Sequence, residues 1–179
     1  MTRSAKVIVV GTSHPIQVAD RDFESFLHCL CQTFAVRAVA EEMSAEALGE
    51  TKCSTSVLMR IAKSLGVAHR FCDPNRRERV ELQIDQESNI RAQALLPGWS
   101  EAEIAQRVIE SHAKRERYWL AHLRGLDQWP VLFVCGAGHV ASFSQLLEQE
   151  RITAHVAADD WASNNTVERD APQAARPSL

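Results

Sequence analysis

Two unbroken apolar runs, VIVV at 7–10 and VLFVC at 131–135, constrain the fold of this chain more than any other feature. A strand with one face in water alternates apolar and polar residues, whereas a strand covered on both faces reads as a continuous apolar run, the pattern of parallel sheets. Both runs break at glycine and reach a histidine: Gly11, Thr12, Ser13 and His14 follow the first, and Gly136, Ala137, Gly138 and His139 follow the second. Between them, helix-like and strand-like segments take turns. Phe23, Phe26, Leu27, Leu30, Cys31 and Phe34 recur at the three-and-four spacing of an amphipathic helix, and VRAVAEEM (36–43) is a short apolar run ending in Glu41 and Glu42. Val57, Leu58, Ile61, Ala62 and Leu65 mark a second helix that Gly66 stops, and VAHRFCD (67–73) reads as a third strand ending at Asp73 and Pro74. Ser100 and Glu103 form a capping box that opens a long helix over 101–125; the strand at Val131, a short helix from Ser142 to Gln149 and a last strand, ITAHVAA, complete the series.

This alternation predicts one α/β domain over residues 1–163, a mostly parallel sheet covered by helices on both faces. Residues 75–99 are charged and weakly patterned and read as an insertion, in which RVELQID fits an edge strand or a helix. The polar, proline-containing stretch 164–179 reads as a disordered tail. A length of 179 residues with 45% apolar side chains suits a single globular domain with a full core. The net charge of -3 offers no basic surface for nucleic acid or an anionic membrane. No run approaches the roughly 18 apolar residues that span a bilayer. MTRSAK leads directly into a strand rather than into a signal-peptide core, so the expected location is cytoplasmic. The five cysteines, at 29, 31, 53, 72 and 135, are odd in number and lie in apolar contexts, which predicts reduced, mostly buried thiols.

In parallel sheets ligands bind beyond the carboxyl ends of the strands. His14, Glu41, Glu42, Asp73, His139 and Asp159 all fall at predicted carboxyl ends and are candidates to converge on one edge. The long helix adds to this set. At about 100° per residue, Ile104, Ala105, Val108, Ile109, Trp119, Leu120, Leu123 and Leu126 share one broad arc, and three polar residues, His112, Arg115 and Glu116, intrude on it. A charge on a buried face costs several kcal/mol, on the order of a broken ion pair, unless it is paired. Arg115 therefore needs a partner among Glu41, Glu42 and Asp73. Simpler roles stand beside these: Asp73 before Pro74 is a common turn former, Cys135 fits a buried strand-end thiol, His112 and Glu116 have metal-ligand spacing but suit a core hydrogen bond, and Trp119 and Trp161 suit core or lid positions.

A G-T-x-H after the first strand, an acidic residue after the second, an Arg-Glu on a late helix (AKRERYWLAHL) and a second G-x-x-H before a small helix (CGAGHVASFSQLL) together resemble the TraB/PrgY and Tiki group. That group lies within the superfamily that includes erythromycin-esterase-like and ChaN-like proteins. The resemblance implies an α/β fold with a hydrolase-type site; some members are metal-dependent proteases, others esterases, and ChaN-like members bind haem. By position, His14 and His139 match the two motif histidines, Glu41 or Glu42 the acidic position, and Arg115 with Glu116 the helical pair, where the group commonly has asparagine at the second place.

Two imidazoles and one or two carboxylates can hold a divalent metal ion with an open position for water; His14, Glu42 and His139 are the ligands such a centre would use. Without a metal, a histidine oriented by a carboxylate can serve as general base while Arg115 stabilises the developing anion. Either route makes the chain a hydrolase of an ester, amide or phosphoester, acting on a small molecule or peptide, with His14, Glu41, Glu42, Arg115, Glu116 and His139 as catalytic candidates and Glu42 or Glu41 as base or ligand. Gly11, Thr12, Ser13, Asp73, Gly136 and Gly138 would line the substrate. Two rivals come from other classes. Gly136, Gly138 and Ala141 spell G-x-G-x-x-A between strand and helix with Asp159 about 20 residues on, the fingerprint of a dinucleotide-binding turn. A non-catalytic ligand-binding module of haem type is the other.

Overall fold

The computed structural model describes residues 5–95 and 97–162; the stretch 164–179, expected to be a disordered tail, lies outside them. Five strands, β1 (Lys6–Thr12), β2 (Ala38–Glu41), β3 (Ala68–Phe71), β4 (Val131–Gly136) and β5 (Thr153–Trp161), form one sheet in the order β3-β2-β4-β1-β5. Every pairing is parallel. The helices are α1 (His14–Ala19), α2 (Arg21–Thr33), α3 (Ala45–Glu50), α4 (Val57–Leu65), α5 (Arg76–Leu82), α6 (Glu87–Ala94), α7 (Glu101–Arg124) and α8 (Val140–Gln149), the last preceded by a single 3₁₀ turn, Ala137–His139. The α/β expectation holds. The reason is visible in the two apolar runs, which become the central strands β1 and β4, buried along their whole apolar length.

Successive residues of a strand point to opposite faces, and the core divides accordingly. Val7, Val9, Val131 and Phe133 pack under α7 and α8 with Trp119, Leu123, Phe143 and Leu147. Ile8, Val10, Leu132 and Val134 pack under α2 and α4 with Phe23, Leu27, Leu58 and Ile61. Side chains cap the helix starts, and at Ser100 with Glu103 and at Gly66 the helix ends carry the signals read from the sequence. Asp20 accepts from Phe23 N (2.8 Å) to start α2, Ser56 from Met59 N (3.1 Å) to start α4, and Ser100 with Glu103 makes the reciprocal capping box of α7. Gly66, at φ 65, ends α4 in the left-handed conformation that glycine adopts without steric cost.

One open reading is resolved and three expectations need correction. Of the two readings of RVELQID, the helix prevails up to Leu82, because Asn75 and Glu78 form a second capping box that commits the chain to α5. β1 continues through Gly11 and Thr12, so these are strand residues and not a substrate loop. Gly11 is wedged against the backbone of Asp159, and the Thr12 hydroxyl donates to the Trp161 carbonyl (2.8 Å). β5 runs on to Trp161, which leaves Asp159 within the strand and exposed rather than beyond its end. Ile109 is 61% exposed although it falls on the apolar arc of α7. In the amino-terminal half of α7 the apolar residues that are covered are Ile104 and Val108, by Ile90, Ala94 and Trp99.

Among the described residues no helix is long and apolar enough to cross a membrane. The cysteines are all free, with 31, 72 and 135 buried, 53 half-buried and 29 exposed.

Candidate functional site

The adjacent carboxylates at the end of β2 point to opposite sides, as neighbours in extended chain must. Glu41 turns toward α4 and β3, where its Oε1 accepts from Ser56 Oγ (2.5 Å) and from His69 Nε2 (2.6 Å). It is a structural anchor, not a site carboxylate, because both partners tie down its oxygen away from the pocket described below. Glu42 turns toward β4 and α7. Its amide donates to Val134 O (2.8 Å), its Oε2 accepts from Gly136 N (2.5 Å), and its Oε1 lies 2.7 Å from Arg115 Nη1.

Asp73, just past β3, is fixed by its own amide, which donates to Met43 O (3.2 Å). Its Oδ1 accepts from Arg115 Nε (2.5 Å) and Trp119 Nε1 (3.1 Å), and its Oδ2 from Arg79 Nη2. Burial by itself would push the Asp73 carboxyl up; the hydrogen bond and charge of Arg115, with Arg79 and Trp119, outweigh it and hold the group below its ordinary value. Arg115 is the converse case: burial favours losing its proton, but Asp73 and Glu42 keep the guanidinium charged. The charge that intrudes on the apolar arc of α7 is thus paired twice, with 14% of its side chain exposed. Nε and Nη1 are occupied, while Nη2 makes no hydrogen bond among the described residues.

His139 closes the inner wall. Its Nδ1 donates to Glu116 Oε1 (2.9 Å), which also accepts from Ser142 Oγ (2.6 Å), so the tautomer assigned by this network leaves Nε2 as an acceptor 3.5 Å from Arg115 Nη1. The ring stands edge-on to Trp119, centroids 4.8 Å apart, and 4.3 Å from the ring of His112. Burial, then the neighbouring His139, lowers the pKa of His112 below its ordinary 6.5, with Glu116 opposing in part. His112 is therefore a neutral imidazole near pH 7.

In front of this wall lies a pocket of about 510 Å³ lined by His14, Glu42, Asp73, Arg79, His112 and Arg115, with Met43, Asp85 and others at its sides. The predicted site residues separate clearly. Glu42, Asp73, Arg115 and His14 reach the pocket; Glu116 and His139 stand behind it; Glu41, Gly11, Thr12 and Asp159 serve the scaffold. His14 and His139 follow neighbouring strands whose ends are in register, Thr12 opposite Gly136. Ser13 is exposed at the start of α1 and does not line the pocket. Gly136 lends its amide to Glu42, and Gly138 faces open space. The dinucleotide reading asks the strand-end amide of Gly136 to meet a pyrophosphate, and a buried carboxylate already holds it. Burial pushes the Cys135 thiol well up, which leaves it a core group and not a nucleophile.

Arg79 and Asp85 line the pocket without having been singled out in the sequence, and His112, which the sequence reading assigned to a core hydrogen bond, lines it too. A signal existed for two of them: Asn75–Glu78 announces the helix that carries Arg79, and His112 lies one turn before Arg115 on the same face. The donor set expected for a metal does not fit one. Both oxygens of Glu42 are engaged, and the free nitrogen of His139 faces the Arg115 cation. Among the described residues no group of three His, Cys, Asp or Glu side chains is placed to hold an ion.

Comparison with family models, with curated proteins and with solved structures finds no match for the chain.

Proposed function

We propose that the chain is a hydrolase of an ester, amide or phosphoester bond that works through its own side chains. One observation carries this reading: a neutral histidine, His112, and an arginine locked between two buried carboxylates, Arg115, stand one turn apart on α7 and line the same pocket. In this reading His112 takes a proton from water as the water oxygen attacks the carbonyl carbon or the phosphorus. Arg115 Nη2 donates to the oxygen that gains negative charge, with its orientation already set by Asp73 and Glu42, so little reorganisation opposes the step. His14, which lines the same pocket and has no hydrogen bond among the described residues, gives a proton to the departing oxygen or nitrogen as its bond breaks. Glu42 holds Arg115 rather than acting as base, and the Glu116–His139 pair backs the same guanidinium. The resemblance of GTSH, RE and GAGH to the TraB/PrgY and Tiki group points to the same reaction class.

A screen of chromogenic esters, amides and phosphoesters against the full chain tests the assignment. His112→Gln is expected to lower kcat/KM on the order of 10²-fold with the thermal midpoint nearly unchanged. Unchanged turnover in that variant would refute the base assignment. The pH profile supplies a second reading. A base must be unprotonated, and a lowered pKa keeps His112 unprotonated further into acid; the acid limb of kcat/KM should therefore have its midpoint below 6.5.

A further inference from the structure

We propose that Arg79 and Arg115 form a clamp across Asp73 that receives the non-bridging oxygens of a phosphoryl group, so that the substrate is a phosphoester; this rests on the hydrolase reading above. The two guanidinium groups grip opposite oxygens of one buried carboxylate, Arg115 through Nε on Oδ1 and Arg79 through Nη2 on Oδ2. Each is further immobilised, Arg115 by Glu42 and Arg79 through Nε to the Pro74 carbonyl (3.2 Å). Each keeps one unpartnered NH₂ among the described residues, Nη2 of Arg115 and Nη1 of Arg79, and both side chains line the pocket. An acyl substrate presents a single developing oxyanion, whereas a phosphoryl group presents several non-bridging oxygens at once. Two fixed donors flanking one carboxylate match a group with adjacent acceptor oxygens, the geometry in which arginine outperforms lysine.

The local charges agree with this choice. Glu42 and Asp73 are matched by Arg115 and Arg79, so the inner pocket is balanced, and recognition falls to hydrogen-bond geometry rather than to bulk charge. Of the acids at the rim, Glu87 is exposed and paired with Arg91, and Asp85 is exposed to solvent that screens it. Room for the esterified alcohol lies alongside: a second cavity of about 520 Å³ between α3 and α5 shares Ala47, Arg79, Asp85 and Gln86 with the first. Arg79 thus stands where the two spaces meet.

Calorimetric titration of the full chain with inorganic phosphate, with acetate as comparator, tests the clamp without requiring turnover. Phosphate is expected to bind at least tenfold more tightly than acetate, Arg79→Gln to weaken phosphate at least tenfold, and Arg79→Lys to fall between, because an ammonium keeps the charge and loses the fork. A melting curve for each variant verifies folding, and Arg79→Lys carries the test should Arg79→Gln fail to fold. Phosphate binding no tighter than acetate, or unaffected by either substitution, overturns the clamp. Phosphate binding that depends on Arg79, in a chain that hydrolyses nothing in the screen, would sustain the clamp and remove the catalytic reading. Hydrolysis of neutral esters with no phosphate binding would do the reverse.

Discussion

Replacing Arg115 by methionine is expected to destabilise the protein by about 3–5 kcal/mol, the range for removing one partner of a buried ion pair. Methionine approximates the length of the arginine stem but offers no donor, and two carboxylates lose their cation at once. Glu42 is 1% exposed and would keep only the Gly136 amide; Asp73 would keep Arg79 and Trp119. Urea denaturation at pH 7 measures the loss, and a value under about 1 kcal/mol, the range of a surface pair, would show that the pair is not desolvated. The pH dependence follows from Asp73. Its folded pKa is held below the ordinary 3.8, so the stability it gains from Arg115 is present above that value and is lost as pH falls through the folded pKa. The gap between wild type and Arg115→Met should accordingly narrow in acid. Arg115→Lys should recover part of the stability but not the geometry, since an ammonium cannot reach Asp73 and Glu42 as a fixed fork does.

Gly11→Ala is expected to cost at least about 3 kcal/mol, the upper part of the overpacking range, although it adds one methyl group in a segment that resembles a ligand-binding turn. A Cβ at this position would strike the Asp159 carbonyl oxygen and lie 2.5 Å from Val140 Cγ2. The obstacle is chiefly backbone of a paired neighbouring strand, which cannot swing aside as a flexible side chain would. A thermal midpoint within a degree or two of wild type would mean that β5 is free to move away from β1. Gly138→Ala, where nothing lies within reach of the added carbon, is the natural control.

The layers of this fold were legible because the central strands carry no polar residue over VIVV or VLFV, and a strand buried on both faces has no other sequence signature. The long helix was legible from Ser100 and Glu103, and the need for a buried partner followed from Arg115 on an apolar arc. The choice between Glu41 and Glu42 was not. Both end the same apolar run, and which of two neighbours faces the pocket depends on the phase of β2 against β4, a long-range register that no local pattern encodes. The strand order was hidden for the same reason, since β4 slots between β2 and β1 by a crossover that leaves no mark on residues 125–130. Gly11 and Gly138 look alike in sequence, yet one is a steric necessity and the other faces open space. His112 was set aside because helical spacing alone cannot tell a core histidine from one lining a cavity.

At about 1.5 Å per residue the 24 residues of α7 extend roughly 36 Å, while the seven residues of β1 at about 3.3 Å each cover roughly 23 Å. The apolar support of the overhanging half is the small cluster of Ile90, Ala94, Ile104, Trp99 and Val108, separate from the two clusters that hold the sheet, and it is supplemented by the Ser111 hydroxyl bonded to the Asp85 backbone and by the exposed Arg91–Glu101 pair. Such a body is its own cooperative unit, able to open at far less free energy than global unfolding. Amide hydrogen exchange should divide α7 within a single continuous helix, fast from 101 to 110 and slow from 117 to 124. The segment that releases first includes α6 and the turn before it, where Asp85, Gln86 and Glu87 form one side of the pocket. Access to Arg115 would then be governed by a handful of apolar side chains that never touch a substrate, and their packing would set how fast molecules enter and leave.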